Sequence, residues 1–217
     1  MTTGIQNDQS KDWAGDAQNA STEGEFKRDT NYIGDRILAS ITSNEPQPAN
    51  DGSGETLHWS VRPHRYRLIA ARACPWAHRA VIVRRLLGLE DVISLGLAGP
   101  THDKRSWTFD LDPGGVDPVL QIPRLQDAYF TRFPDYPRGI TVPALVEEST
   151  GKVVSNDFNS MVRDFQTEWT EFQREGAPNL LPPPEQQEEM EEINDFIFRK
   201  LNNGVYRAGF SASQEAY

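Results

Sequence analysis

The stretch Ala73-Cys74-Pro75-Trp76-Ala77-His78-Arg79 decides how this chain of 217 residues reads. Before it, Tyr66-Arg67-Leu68-Ile69-Ala70-Ala71 has the apolar run of a buried strand. After it, Ala80-Val81-Ile82-Val83-Arg84-Arg85-Leu86-Leu87 reads as a helix closed by Gly88. A cysteine is therefore delivered at a strand-to-helix junction, with proline in the first helical turn. There the sulfur meets free backbone N–H groups and the positive end of the helix dipole. Both favour the thiolate, which predicts a low-pKa nucleophile at Cys74. Cys74 is the only cysteine, and Ala77 stands where a Cys-x-x-Cys redox pair carries its second thiol. Cys74 is thus expected to form a mixed disulfide with an outside thiol and to be released by a second one.

Working outward, residues 1–57 are rich in Asn, Asp, Ser, Thr, Gly and Pro and read as an extended N-terminal arm. Within it, Ile33, Ile37, Leu38 and Ile41 hint at a short helix. A compact unit over 58–168 follows. Its expected elements are a strand at Arg65–Ala71, a helix at Pro75–Leu87 and a strand at Val92–Leu97. A long segment from Pro100 to Pro137 then carries a short helix near Arg124–Phe133. Next come two hairpin strands around Thr141–Glu148 and Val153–Ser155, and a helix capped by Asn156 or Asp157. The order β-α-β, insertion, β-β-α is that of a thioredoxin-like fold. In such folds a proline before the third strand is commonly cis and faces the active cysteine, a role assigned to Pro143. Residues 169–184 read as a linker. Residues 185–217 begin with a helix over Glu185–Asn203, whose Met190, Ile193, Phe196, Ile197 and Leu201 form one stripe. Gly204 is its expected stop.

Composition narrows the function. A formal charge of -10 argues against nucleic acid and anionic membranes as partners. No segment has the apolar length of a membrane span, and the first residues lack a secretory signal. A single cysteine suits a reducing, cytoplasmic setting. Arg62, Arg65, Arg67, Arg72, Arg79, Arg84 and Arg85 crowd around Cys74 in sequence and suit an anionic thiol cofactor, although most are expected on solvated faces. His58, His64, His78 and His102 have no zinc-like partners, so no metal site is expected.

Several ordered motifs carry a family resemblance. They are Ala73–Arg79 with Gly88-Leu89-Glu90, Ser106-Trp107-Thr108-Phe109, Thr141-Val142-Pro143-Ala144-Leu145 and Val154-Ser155-Asn156. The C-terminal run Leu201-Asn202-Asn203-Gly204-Val205-Tyr206-Arg207-Ala208-Gly209-Phe210, with Gln214-Glu215-Ala216-Tyr217, is the most specific. From about Tyr66 onward the chain resembles the glutathionyl-hydroquinone reductases, also called Xi-class glutathione transferases. The resemblance implies an α/β thioredoxin-like N-terminal domain, followed by the start of an all-α glutathione transferase C-terminal domain. Family members are longer than this chain, which is expected to be a truncated or shortened form.

The resemblance also implies the chemistry. Cys74 would attack the sulfur of an S-conjugated hydroquinone, and Tyr206 would protonate the ring carbon as it leaves. Trp107 would lie over the thiol cofactor, Val142 would pair its backbone with it ahead of Pro143, and Asn156 and Asp157 would bind its carboxylate. Arg138 would salt-bridge it. Glutathione is the implied co-substrate and a homodimer, joined through the complete helical domain, the implied assembly. Two departures touch recognition of the glutamyl end. Asp157-Phe158 stands where the family usually has Glu-Ser, and Arg138-Gly139 stands where it has Gly-Arg. Mycothiol, which has no glutamyl group, is therefore the other candidate thiol. The competing classes are a conventional glutathione transferase, conjugating thiol to electrophile, and a non-catalytic thioredoxin-fold interaction domain.

Overall fold

The computed structural model describes residues 19–20, 24–49, 56–100, 102–103 and 105–217. In the arm, β1 (Asn19–Ala20) and β2 (Phe26–Lys27) pair antiparallel. Then β3 (Arg36–Leu38), β4 (Gln47–Pro48) and β5 (Leu57–Ser60) form a sheet in the order β3-β5-β4, with β3 parallel and β4 antiparallel to β5. The helix hinted at in the arm is therefore a strand. Three residues fix too few backbone hydrogen bonds to nucleate a helix, whereas β5 offers a ready ladder. The sheet also crosses the expected boundary at residue 57, because β5 pairs with both arm strands.

The central sheet and its helices follow the expected order. They are β6 (Tyr66–Ala71), α1 (Pro75–Leu86) and β7 (Ile93–Ala98), then the small hairpin β8 (His102–Asp103) and β9 (Ser106–Trp107). After these come α2 (Leu125–Arg132), β10 (Ala144–Glu147), β11 (Val153–Ser155) and α3 (Phe158–Thr167). Strand order is β11-β10-β6-β7, with β7 parallel and β10 antiparallel to β6, a thioredoxin-like sheet. Every residue of β6 is buried, so its alternation divides the core. Tyr66 and Leu68 join Ala80, Leu87, Phe165 and Trp169 on the α1/α3 side. Ile69 and Ala71 join Phe109, Leu125, Tyr129 and Val146 on the α2 side. Burying Leu68 and Ile69 completely contributes about 1.5–3 kcal/mol apiece. Helix α1 ends where expected, at Gly88, whose φ of 73° puts it in the left-handed region.

Two further expectations are corrected. Strand β10 starts at Ala144 rather than Thr141, because Pro143 has no N–H for the ladder and the carbonyls before it are engaged elsewhere. The C-terminal helix does not stop at Gly204. After a 3-10 turn at Pro184–Gln186, α4 (Gln187–Ile197) passes through a π-helical joint at Phe198–Asn202 into α5 (Asn203–Gly209). The joint rotates the last helix so that Tyr206 faces α1. The expected stripe is mostly uncovered: Ile193 is 51% exposed, Phe196 60% and Leu201 63%.

Candidate active site

Cys74 is the N-cap residue of α1, with extended φ and ψ, and Pro75 opens the helix. Its sulfur accepts from the Ala77 N–H at 3.5 Å and donates to the Val142 carbonyl at 3.4 Å. Val142–Pro143 is a cis peptide, as assigned from the strand order. Burial pushes the thiol above its ordinary range, and the N–H groups of Ala77 and Trp76 and the charge of Arg28 only partly offset it. The low-pKa expectation is thus corrected: desolvation of a half-buried sulfur outweighs the helix terminus.

Of the arginines that crowd around Cys74 in sequence, Arg62, Arg72, Arg79 and Arg85 are exposed, as expected, and the other three are engaged elsewhere. Arg67 pairs with Asp117 at 2.9 Å, Arg65 with Glu147 at 2.5 Å, and Arg84 donates to the Ile93 carbonyl at 2.6 Å. These are neither solvated nor at the thiol. The cation that acts on Cys74 is Arg28, from the arm. Its guanidinium lies 4.3 Å from the Tyr206 ring centroid and 4.9 Å from that of Trp76. Its Nε donates to Asn203 Oδ1 at 2.6 Å. Tyr206 Oη accepts from Trp76 Nε1 at 2.9 Å, which leaves its own proton outside that bond. Cys74, Trp76, Arg28 and Tyr206 thus come together from α1, the arm and α5.

A cavity of about 50 Å³ adjoins this cluster, lined by Arg28, Asp29, Tyr32, Arg138, Val142 and Asn156, with Trp76 and Phe158 closing it. Arg138 is held by Asp29 at 2.8 Å. Burial pushes the Asp29 carboxyl up, but the Asn31 backbone N–H and Arg138 outweigh it and hold the group below its ordinary value. Asn156 fastens the arm: its Oδ1 accepts from the Ile33 N–H at 2.7 Å and its Nδ2 donates to Thr141 Oγ1 at 2.9 Å. The cap of α3 is Asp157, whose carboxylate accepts from the N–H groups of Asn159 and Ser160 and from Ser160 Oγ. Those N–H groups therefore already have an anionic partner. Phe158 is 4% exposed, with its ring 4.6 Å from Trp76 and edge-on to Tyr32. Trp107 sits on β9, half-buried against the same core cluster that Cys74 packs on. Among the described residues no group of three or more His, Cys, Asp and Glu side chains could hold a metal.

Sequence reasoning missed Arg28 and Tyr32, because the arm reads as low-complexity polar chain. The available signal was the run Phe26, Arg28, Tyr32: aromatic and basic residues at close spacing in a stretch otherwise poor in both.

Residues 73–168 match the family described as Glutathione S-transferase, N-terminal domain. The chain is 35% identical over 199 residues to the glutathionyl-hydroquinone reductase YqjG of Escherichia coli (strain K12), covering 91% of this chain and 58% of that protein. The chain is thus similar to glutathionyl-hydroquinone reductases and Xi-class glutathione transferases. Solved structures agree with it. A glutathione transferase from Gordonia bronchialis DSM 43247 is 60% identical, with a TM-score of 0.75 over 86% of this chain and 53% of that one. The glutathione-S-transferase Xi from Phanerochaete chrysosporium is 32% identical, with a TM-score of 0.76 over 92% and 60%. The glutathione-bound structure of YqjG has a TM-score of 0.69 over 84% and 57%. The chain thus spans less than two thirds of the length of these relatives.

Proposed function

We propose that this chain carries the thiol site of a cytoplasmic glutathionyl-hydroquinone reductase, with Cys74 as nucleophile and Tyr206 as proton donor. The observation that carries the reading is the single thiol at the start of α1, 3.4 Å from the carbonyl that precedes cis-Pro143, with the Tyr206 hydroxyl on the adjacent Trp76. Cys74 loses its proton, and the thiolate attacks the sulfur of the conjugate. A disulfide forms between Cys74 and the small thiol while the ring carbon–sulfur bond breaks. The electron pair of that bond goes to the ring carbon, which takes the Tyr206 proton and leaves as free hydroquinone. A second thiol, as thiolate, attacks the mixed disulfide, carries off the oxidised small thiol and restores Cys74; its proton returns to Tyr206 through solvent. The ring carbon is reduced by two electrons, and the conjugate's own sulfur and one free thiol leave joined as the disulfide.

The names of the relatives support glutathione as the small thiol. Mycothiol is the second reading, favoured by Asp157 and Phe158. The Asp157 carboxylate is occupied by the α3 cap, and Phe158 fills space with a ring where the family usually offers a hydroxyl. In either case Val142, Pro143 and Trp107 would border the thiol and Asn156 its far end, and the complete protein would act as a homodimer.

Cys74→Ala and Cys74→Ser should both abolish release of hydroquinone from glutathionyl- and mycothiol-linked conjugates, followed by chromatography. A serine alkoxide is far harder to form and makes no disulfide. Turnover that persists in the alanine variant would remove Cys74 from the mechanism.

A further inference from the structure

Tyr206 stands on a segment with no core of its own, since none of residues 201–217 is buried. The place of α5 beside α1 therefore depends on what is laid against it. In the arm, Gly24 and Phe26 are buried and Arg28 is half-buried, while Glu25 and Lys27 between them are exposed. That alternation is the mark of an extended chain with one face against a partner. The partner is α5. The Phe26 ring lies 5.5 Å from that of Tyr206 and 5.8 Å from that of Phe210, one helical turn on. The Arg28 guanidinium covers the Tyr206 ring at 4.3 Å and the Phe26 ring at 5.4 Å, and its Nε is tied to Asn203 Oδ1. We propose that Gly24, Phe26 and Arg28 form a clamp that positions the Tyr206 hydroxyl for proton transfer. This rests on the proton-donor role given to Tyr206 and names the residues that hold it in place.

The geometry of each contact fits that role. A general acid works only within hydrogen-bonding reach of the atom it protonates, so the direction of its hydroxyl matters as much as its presence. The bond from Trp76 Nε1 fixes the Tyr206 oxygen but leaves the ring free to pivot about it. A cation on the ring and an aromatic neighbour at a tilt restrict that pivot. The clamp is also closed beyond the ring, where the Ala212 N–H donates to the Gly24 carbonyl at 2.9 Å. Gly24 has a φ of 84°, and a side-chain carbon there would stand 3.1 Å from Ser213 Oγ, so the close approach of arm and C-terminal segment calls for glycine. Phe26 and Asn203 do not line the thiol cavity. Their effect on the reaction therefore runs through Tyr206, which makes them positioning residues.

The test follows solvent exchange of the Trp76 indole N–H by NMR, its signal assigned with Trp76→Phe, alongside release of hydroquinone from a glutathionyl conjugate. Tyr206→Phe removes the acceptor of that N–H and should speed its exchange about tenfold. Phe26→Ala should do the same with Tyr206 still present, and Phe26→Leu, which keeps apolar bulk on the ring, should restore most of the protection. Release should slow on the order of a hundredfold in Tyr206→Phe and about tenfold or more in Phe26→Ala, with KM little changed. The double variant should be no slower than Tyr206→Phe alone, because the clamp acts only through the hydroxyl. Reaction of Cys74 with dithiodipyridine joins sulfur to sulfur and protonates no ring carbon, so Phe26→Ala should leave it within about threefold. An equal fall in that reaction, an unchanged indole N–H in Phe26→Ala, or additive losses in the double variant would overturn the clamp. Should Phe26→Ala fail to fold, Asn203→Ala, which unties Arg28, carries the same comparisons. Release that depends on Tyr206 but not on Phe26 loses the clamp alone. Release unaffected by Tyr206→Phe, or no release at all, loses the proton-donor reading, and the indole exchange then decides the clamp.

Discussion

At Cys74 two local effects of opposite sign meet. The start of α1 offers an N–H and the positive end of a helix dipole, both legible in the order strand, Cys-Pro, helix. Burial works against them and prevails, and no reading of neighbouring residues reveals it, since the sulfur packs on a core drawn from distant segments, Val142 among them. The expected consequence is a pH profile. A raised thiol pKa leaves less thiolate at pH 7 than on an exposed cysteine, so alkylation by iodoacetamide should climb with pH, with a midpoint above the ordinary value of about 8.5. Arg28→Gln removes a favourable charge and should move the midpoint higher still. A rate already flat between pH 6 and pH 8 would mean that the thiolate is preformed and that the helix terminus dominates after all. The same division holds for the other site residues. The cis bond at Val142–Pro143 was legible because a proline before a strand has few roles, whereas Arg28 and Tyr32 reach the cavity only through contacts across the fold.

Among elements, those with strong local punctuation were read within a residue or two: β6, α1 with its Gly88 stop, β7, α2, β11 and α3. The strands of the arm span two or three residues each, too short to show any periodicity, and exist through their partners. The π-helical joint at Phe198–Asn202 was also hidden. It is set by docking, since Phe198 packs 5.7 Å from Trp76 while Tyr206, one helical segment later, bonds the same indole. Helix α3 offers a measurable case of a local signal that holds. Asp157 caps it through the N–H groups of Asn159 and Ser160. Asp157→Ala should cost about 1 kcal/mol of unfolding free energy in urea, with an unchanged m-value, and Asp157→Asn markedly less. If alanine and asparagine prove equally costly, the carboxylate has a role beyond the cap.

For the molecule as a whole, the described stretch of the arm from Gly24 to Ala49 is part of the folded body, and a few polar contacts hold it there. Ser155 Oγ donates to the Ile33 carbonyl at 2.8 Å, Arg36 pairs with Asp164 of α3, and Ala39 N–H donates to Glu168 at 3.0 Å. The central tie is Asp35. Its carboxylate accepts from the Leu57 N–H at 3.0 Å, from Trp59 Nε1 at 2.6 Å and from Arg132 of α2 at 2.7 Å, with both charged partners nearly out of solvent. Removing one member of such a pair leaves the other charge buried alone, so Asp35→Ala should destabilise the chain by about 3–5 kcal/mol in urea unfolding. The same change should loosen the segment that presents Arg28 and Tyr32, only a few residues before it, and weaken glutathione binding although Asp35 does not line the cavity. An apolar pair, Asp35→Leu with Arg132→Met, removes both charges together and should recover much of the stability, since a buried ion pair is costly chiefly when broken. It should recover less of the binding, because Trp59 and Leu57 still lose the acceptor that fixes β5 beside β3. A loss below 1 kcal/mol in the single variant, or full recovery of binding in the double one, would mean that the arm is held by apolar contacts such as Ile33 and Ile37 and that its polar ties are incidental.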